Sequence, residues 1–251
     1  MIFAHSFYNS VDIAFLALFI VGFYTHIVFS RKLTFKNALF HAFACAILVD
    51  IRNVGIFLPI LSLTWITIDV VIGRMSKNCL LKKCFLLVVF LLLFVSFVIL
   101  LWPHLWGSPL TKFVDSLLVS TREITGVDTY LYRGRFIMGS LTPWHYNFVW
   151  ILITSPITVT IFFLIGFFQI FLRNIKRVFK IDNKYKNLWM GNKEMYDSYF
   201  LYIILIIFLS LIRFNYNFDS WRHIYFVYPF IIAISLSGIY FLNTIIKKKK
   251  N

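Results

Sequence analysis

The sequence predicts an all-α fold: a polytopic transmembrane helix bundle of about seven crossings, with one external amphipathic helix at the membrane interface. Three observations predict it. Of 251 residues, 60% are hydrophobic and only 14% charged, against roughly 25% charged in soluble domains, so the chain has too few charges to clothe a water-facing surface. Several apolar runs approach or exceed the ~18–20 residues that a helix needs to span about 30 Å of hydrocarbon. These runs are apolar on all sides, where a soluble helical protein would carry stripes at the 3.6-residue period.

The first run covers residues 11–29 and is followed by Arg31, Lys32 and Lys36. The next, 38–49, is short and ends in Asp50 and Arg52. At about 1.5 Å per residue it falls short of the hydrocarbon thickness, so either the bilayer thins there or protein shields the helix. Residues 54–73 cross again, with Asp69 near the far end, before a basic turn of Arg74, Lys77, Lys82 and Lys83. Residues 85–102 form the cleanest span, and a mixed segment, 103–146, follows it. The run 148–172 crosses despite Pro156, because bundle neighbours can satisfy the backbone groups that a proline frees. A polar, mostly basic loop, 173–198, leads to the last crossings, 199–212 and 224–246, and the chain closes on a basic tail, 247–251. The whole of 1–251 reads as a single transmembrane domain.

The formal charge of +15 lies mostly in short segments between apolar runs and at the C-terminus. That is the bias of cytoplasmic loops toward lysine and arginine, and it calls for no nucleic acid partner. Placing the closing lysines in the cytoplasm puts 103–146, 213–223 and the N-terminus outside, and 173–198 inside. The expected location is the inner (plasma) membrane of a cell. Cys45, Cys79 and Cys84 have no metal-ligand spacing and form no even disulfide set. There is no phosphate-binding glycine loop and no nucleophile elbow.

With this orientation the unusual polar residues collect on the external side: His5, Asn9, Asp12, Asp50, Arg52, His104, Arg133, Arg135, His145, Asp219, Arg222 and His223. A one-sided collection points to binding or chemistry at the external membrane surface. A transporter would hold such groups at mid-depth, in two related halves, and no such repeat is visible. Within 103–146, Ser108-Pro109 is a helix start, with serine as cap and proline at the first position. Phe113, Leu117, Leu118 and Ile124 then lie opposite Lys112, Asp115, Arg122 and Glu123, as in an interfacial helix or a plain packing helix of the loop. Trp144 and Tyr146 read as residues of the aromatic belt. In the last external turn, Asp219, Trp221, Arg222 and His223 crowd together. Arginine presents a planar fork suited to phosphate oxygens, and at this depth a lipid-linked phosphate is an anion to meet; snorkelling to headgroups is the plainer reading. Asp50 and Arg52 read either as an ion pair capping the short helix or as functional groups of the bundle interior.

The pattern Phe3-Ala4-His5-Ser6-Phe7-Tyr8-Asn9-Ser10-x-Asp12, then His41-Ala42-Phe43-Ala44-x-Ala46-x-x-x-Asp50-Ile51-Arg52-x-x-Gly55, resembles the middle of bacterial C-type glycosyltransferases of the protein mannosyltransferase and aminoarabinose transferase kind. Leu131-Tyr132-x-Gly134, Pro143-Trp144-His145-Tyr146, Thr154-x-Pro156, Gly166 and Asp219-x-Trp221-Arg222-His223-x-Tyr225-Phe226-x-Tyr228-Pro229 continue the resemblance in order through nearly the whole chain. The resemblance implies an enzyme that passes a sugar from a polyprenyl-phosphate donor to an acceptor on the external face. It implies a carboxylate general base, often with a divalent metal nearby, and basic groups that stabilise the departing phosphate. Family members carry that base in a first external loop upstream of the segment that Met1 opens here, so the expectation is an N-terminally incomplete chain. Asp12 is then a secondary acid, Arg52 and Arg222 contact donor phosphate, and Asp50, His145, Asp219 and His223 line the cleft. Two other readings stand beside this one: a transporter or lipid flippase, and a catalytically inert membrane fragment.

Overall fold

A computed structural model of the chain describes residues 10–72, 77–122, 129–138, 142–178, 192–214 and 221–250. Its helices, in chain order, are α1 (Ser10–Arg31), α2 (Phe35–Ile51), α3 (Phe57–Ile72), α4 (Lys77–Leu101), α5 (Pro109–Arg122), α6 (Tyr146–Thr154), α7 (Ile157–Val178), α8 (Asn192–Phe214) and α9 (Tyr228–Lys250). A two-stranded hairpin, β1 (Thr129–Tyr132) and β2 (Arg135–Met138), stands between α5 and α6. Helix dominates, as the all-α expectation requires, and a short hairpin is added to it. Five segments, Val11–Arg31, Leu81–Leu101, Ile157–Lys176, Lys193–Ile212 and Arg222–Lys248, are long and apolar enough to cross a membrane. The chain divides into two compact units, Met1–Pro143 with Phe214–Phe226, and Trp144–Arg213 with Val227–Asn251.

In the first unit, α1 buries Asp12, Phe15, Phe19, Gly22, Phe23, His26 and Phe29, a stripe at helical spacing. Its other faces, with Val11, Ile20, Val21 and Tyr24, are exposed. Hydropathy could not separate these faces, because lipid and core are equally apolar. The short run of the sequence is extended at both ends in α2. Thr34 caps its start, accepting the Asn37 N–H at 3.3 Å. Ala38, Ala42, Cys45 and Ala46 are buried, and such small side chains let α1 and α4 approach closely. A second cluster joins Ala46 and Val49 to Val98 and Leu105, and packs α5 through Phe113 against Trp102.

The end of α2 is set by a glycine. Arg52 leaves the helix in an extended conformation (φ −153°, ψ 135°), and a 3₁₀ turn, Asn53–Ile56, reverses the chain toward α3. A Cβ at Gly55 would fall within 2.5 Å of the Leu48 carbonyl, so only glycine lets the returning chain lie on the last turn of α2.

In the second unit, the apolar run around Pro156 is two helices, not one. Proline disfavours helical backbone in the residue before it; Ser155 is extended (φ −86°, ψ 142°) and closes α6, and α7 starts afresh at Ile157. α7 and α9 cross at two facing glycines. A Cβ on Gly166 would overlap the Ile234 carbonyl, and one on Gly238 the Phe162 carbonyl. α7 runs on to Val178 and α8 begins at Asn192, so the ends of the basic segment 173–198 are helical, while 179–191 lie outside the described residues. There Arg173 pairs with buried Asp197 at 3.3 Å, Ser237 donates to the same carboxylate at 2.9 Å, and Ser198 donates to Asn174 at 3.0 Å. These bonds tie α7, α8 and α9 at one end of the unit.

Candidate functional site

The first unit brings together three segments far apart in sequence. Asp12 stands in the first turn of α1, where the helix dipole favours a carboxylate, and is buried. Arg52 is aimed at it by the extended exit from α2. The guanidinium donates through Nη1 to Asp12 Oδ1, and through Nη2 to Nδ1 of His223 at 2.5 Å. His223 lies in the 3₁₀ turn Arg222–Val227. An arginine only donates, so His223 Nδ1 is the acceptor, and the proton of the neutral ring sits on Nε2.

Aromatic rings wall this cluster. The Arg52 guanidinium carbon lies 6.0 Å from the centroid of Phe15. Phe226 packs edge-on to Phe15 at 5.0 Å, and Trp221 packs edge-on to Tyr225 at 4.8 Å. Burial lowers the Arg52 pKa from its ordinary value, the Asp12 carboxylate opposes this, and the neighbouring charge of Arg222 adds to it. The charge of Arg222 thus stands close enough to the Asp12–Arg52 pair to act on Arg52.

The other expected residues fall as follows. Arg222 is half-buried beside this cluster. Asp50 ends α2 with its side chain exposed, and the acid paired with Arg52 is Asp12, not the Asp50 that its position in sequence suggested as a cap. His145 belongs to the second unit, where it precedes α6, half-buried, with its ring 5.4 Å from that of Trp144. His5, Asn9 and Asp219 lie outside the described residues. The divalent metal implied by the resemblance would need carboxylate or imidazole ligands, and His5 and Asp219 lie outside the described residues. Among the described residues no three His, Cys, Asp or Glu side chains converge as ligands, and the Asp12 carboxylate is engaged by Arg52.

A second polar cluster, missed in the sequence, lies deeper in the same unit. His26 Nδ1 is 2.8 Å from Ser62 Oγ, His41 Nε2 is 2.7 Å from the same hydroxyl, and Thr25 Oγ1 is 2.8 Å from His41 Nδ1. Phe90 stacks on His41 at 5.1 Å. The four residues come from α1, α2 and α3, and no spacing in the sequence announces them. The one signal is that two histidines and a serine interrupt runs otherwise apolar.

No protein-family model matches the chain, and no curated protein or solved structure is similar to it.

Proposed function

We propose that the chain is a C-type membrane glycosyltransferase, or the C-terminal portion of one, moving a sugar from a polyprenyl-phosphate donor to an acceptor on the external face. In this reading the chain makes seven crossings, with α2 and α3 as the short ones, the N-terminus outside, the closing lysines in the cytoplasm, and α5 lying in the external interface. The observation that carries the reading is the meeting of Asp12, Arg52 and His223, with Arg222 alongside. They come from the three segments in which the resemblance is densest.

The division of labour follows from the geometry. Asp12 is a positioning residue: it fixes the guanidinium of Arg52, beside which the charge of Arg222 stands. Arg222 then takes the donor phosphate, and its guanidinium offsets the charge that develops on the phosphate as the glycosidic bond breaks. The test is binding of a photoreactive polyprenyl phosphate to the full chain in nanodiscs. A charge-assisted hydrogen bond contributes about 1.5–3 kcal/mol, so Arg222→Ala should weaken binding by roughly 10- to 100-fold. Equal binding by wild type and variant removes Arg222 from the site.

A further inference from the structure

We propose that the β1–β2 hairpin is an anchor for anionic phospholipid headgroups, separate from the Arg52 cluster. The hairpin is antiparallel, and its register sets Thr129 opposite Met138, Leu131 opposite Phe136, and Tyr132 opposite Arg135. Side chains alternate between faces, so Leu131, Phe136 and Met138 share one face with Thr129. That face is bare: Leu131 is 58% exposed, Phe136 77% and Met138 54%. On the opposite face Tyr132 is buried, so the two faces of the hairpin differ in exposure. Leu131 and Phe136 are direct cross-strand neighbours and form an apolar wedge.

The turn supplies the second observation. Arg133 (φ 52°) and Gly134 (φ 79°) both have positive φ, which is the pattern of a type I′ turn. Its first position normally goes to asparagine, aspartate or glycine, because other side chains are strained there. Arginine in the strained position, exposed and with a second exposed arginine at 135, points to a use for the guanidinium. A wedge of apolar side chains behind an arginine at the tip, with Arg135 exposed beside the turn on the other face, matches the boundary between acyl chains and phosphates, where apolar area and headgroup charge act together. The preceding helix repeats the pattern: Leu110, Val114 and Leu118 are exposed at four-residue intervals along α5. The occupant is therefore the surface of the bilayer that the apolar helices cross, and the phosphates are those of its lipids.

The test reads depth, not sugar transfer, so it stands or falls apart from the enzymatic reading. The full chain, with Cys45, Cys79 and Cys84 replaced by alanine, carries Phe136→Cys labelled with bimane and is placed in nanodiscs. The discs contain phosphatidylcholine, alone or with phosphatidylglycerol, and the quenchers are shallow spin-labelled lipid and aqueous iodide. The expected result is loss of fluorescence to the lipid quencher, greater with phosphatidylglycerol, and little loss to iodide. Arg133→Asn keeps and relaxes the turn while removing the charge, and should abolish the gain from phosphatidylglycerol. Ready quenching by iodide, protection from both quenchers, or an Arg133→Asn variant that responds to phosphatidylglycerol like its parent would overturn the proposal.

Discussion

The carboxylate of Asp12 grips the guanidinium of Arg52 across forty residues of sequence, and so joins the start of α1 to the end of α2. The side chains are 7% and 19% exposed, which places the pair between a surface contact and a buried one. Surface pairs contribute at most about 1 kcal/mol, whereas removing one member of a buried pair costs about 3–5 kcal/mol. Asp12→Ala is expected to cost roughly 2–3 kcal/mol, because it strands a partly buried cation. The double variant Asp12→Ala, Arg52→Ala should recover part of that loss. Thermal unfolding of both in one detergent measures it, and additive losses would mean that the pair has no coupling.

Gly55 makes that pairing possible, and its replacement is the second prediction. An alanine there meets the Leu48 backbone within 2.5 Å, and backbone cannot step aside as a side chain can. Overpacking of this kind costs about 1–3 kcal/mol, and here the relief is a displaced Asn53–Ile56 turn that carries Arg52 with it. Gly55→Ala should therefore lower both the unfolding midpoint and polyprenyl phosphate binding. Gly134→Ala is the control. Its Cβ meets nothing within 4 Å, so it should cost only the positive φ, about 1 kcal/mol, and leave polyprenyl phosphate binding at the Arg52 cluster intact.

These contrasts show what the sequence made legible. Long apolar runs announced α1, α4, α7, α8 and α9, because uninterrupted hydrophobicity is itself the requirement for a span. The break at Ser155 went unseen, since a proline inside an apolar run is as compatible with a kinked span as with two helices. The hairpin was hidden for a different reason: its turn is Arg133-Gly134 rather than Asn-Gly or Asp-Gly. For the site, Asp12, Arg52 and His223 were each visible as polar residues out of place. That Arg52 would choose Asp12 over Asp50 was not, because the choice depends on an extended residue after α2 and a glycine three positions on.

The second unit offers its own test. At the crossing of α7 and α9, Gly166 and Gly238 each face a carbonyl of the partner helix, and neither helix has room for a methyl group. Gly166→Ala or Gly238→Ala should force the helices apart and cost about 1–3 kcal/mol. The same separation would stretch the bond from Ser235 to the Val159 carbonyl, now 3.0 Å. Hydrogen exchange should then rise along α7 and α9 while α1 and α2 keep their protection. Uniform loss of protection across the chain would mean that the two units unfold as one.

Proton counting makes Ser62 the critical member of the buried histidine cluster. Its hydroxyl has one proton, yet it lies within bonding distance of His26, His41 and the Leu58 carbonyl, the last at 3.1 Å. If Ser62 donates to Leu58, both histidines must donate to Ser62, and His41 Nδ1 then accepts from Thr25. If Thr25 donates instead to the Gly22 carbonyl, 2.7 Å away, His41 carries its proton on Nδ1 and accepts from Ser62. In either arrangement Ser62 bridges α1, α2 and α3, and Ser62→Ala deprives two buried imidazoles at once. Interhelical hydrogen bonds in membranes contribute about 0.6 kcal/mol on average and about 1.7 at most, so losing two should cost roughly 1–3 kcal/mol. Ser62→Thr keeps the hydroxyl and should recover most of that in thermal unfolding. Nitrogen-15 shifts of the histidine rings should change in Ser62→Ala alone. Equal unfolding midpoints for the alanine and threonine variants would reduce the cluster to simple packing.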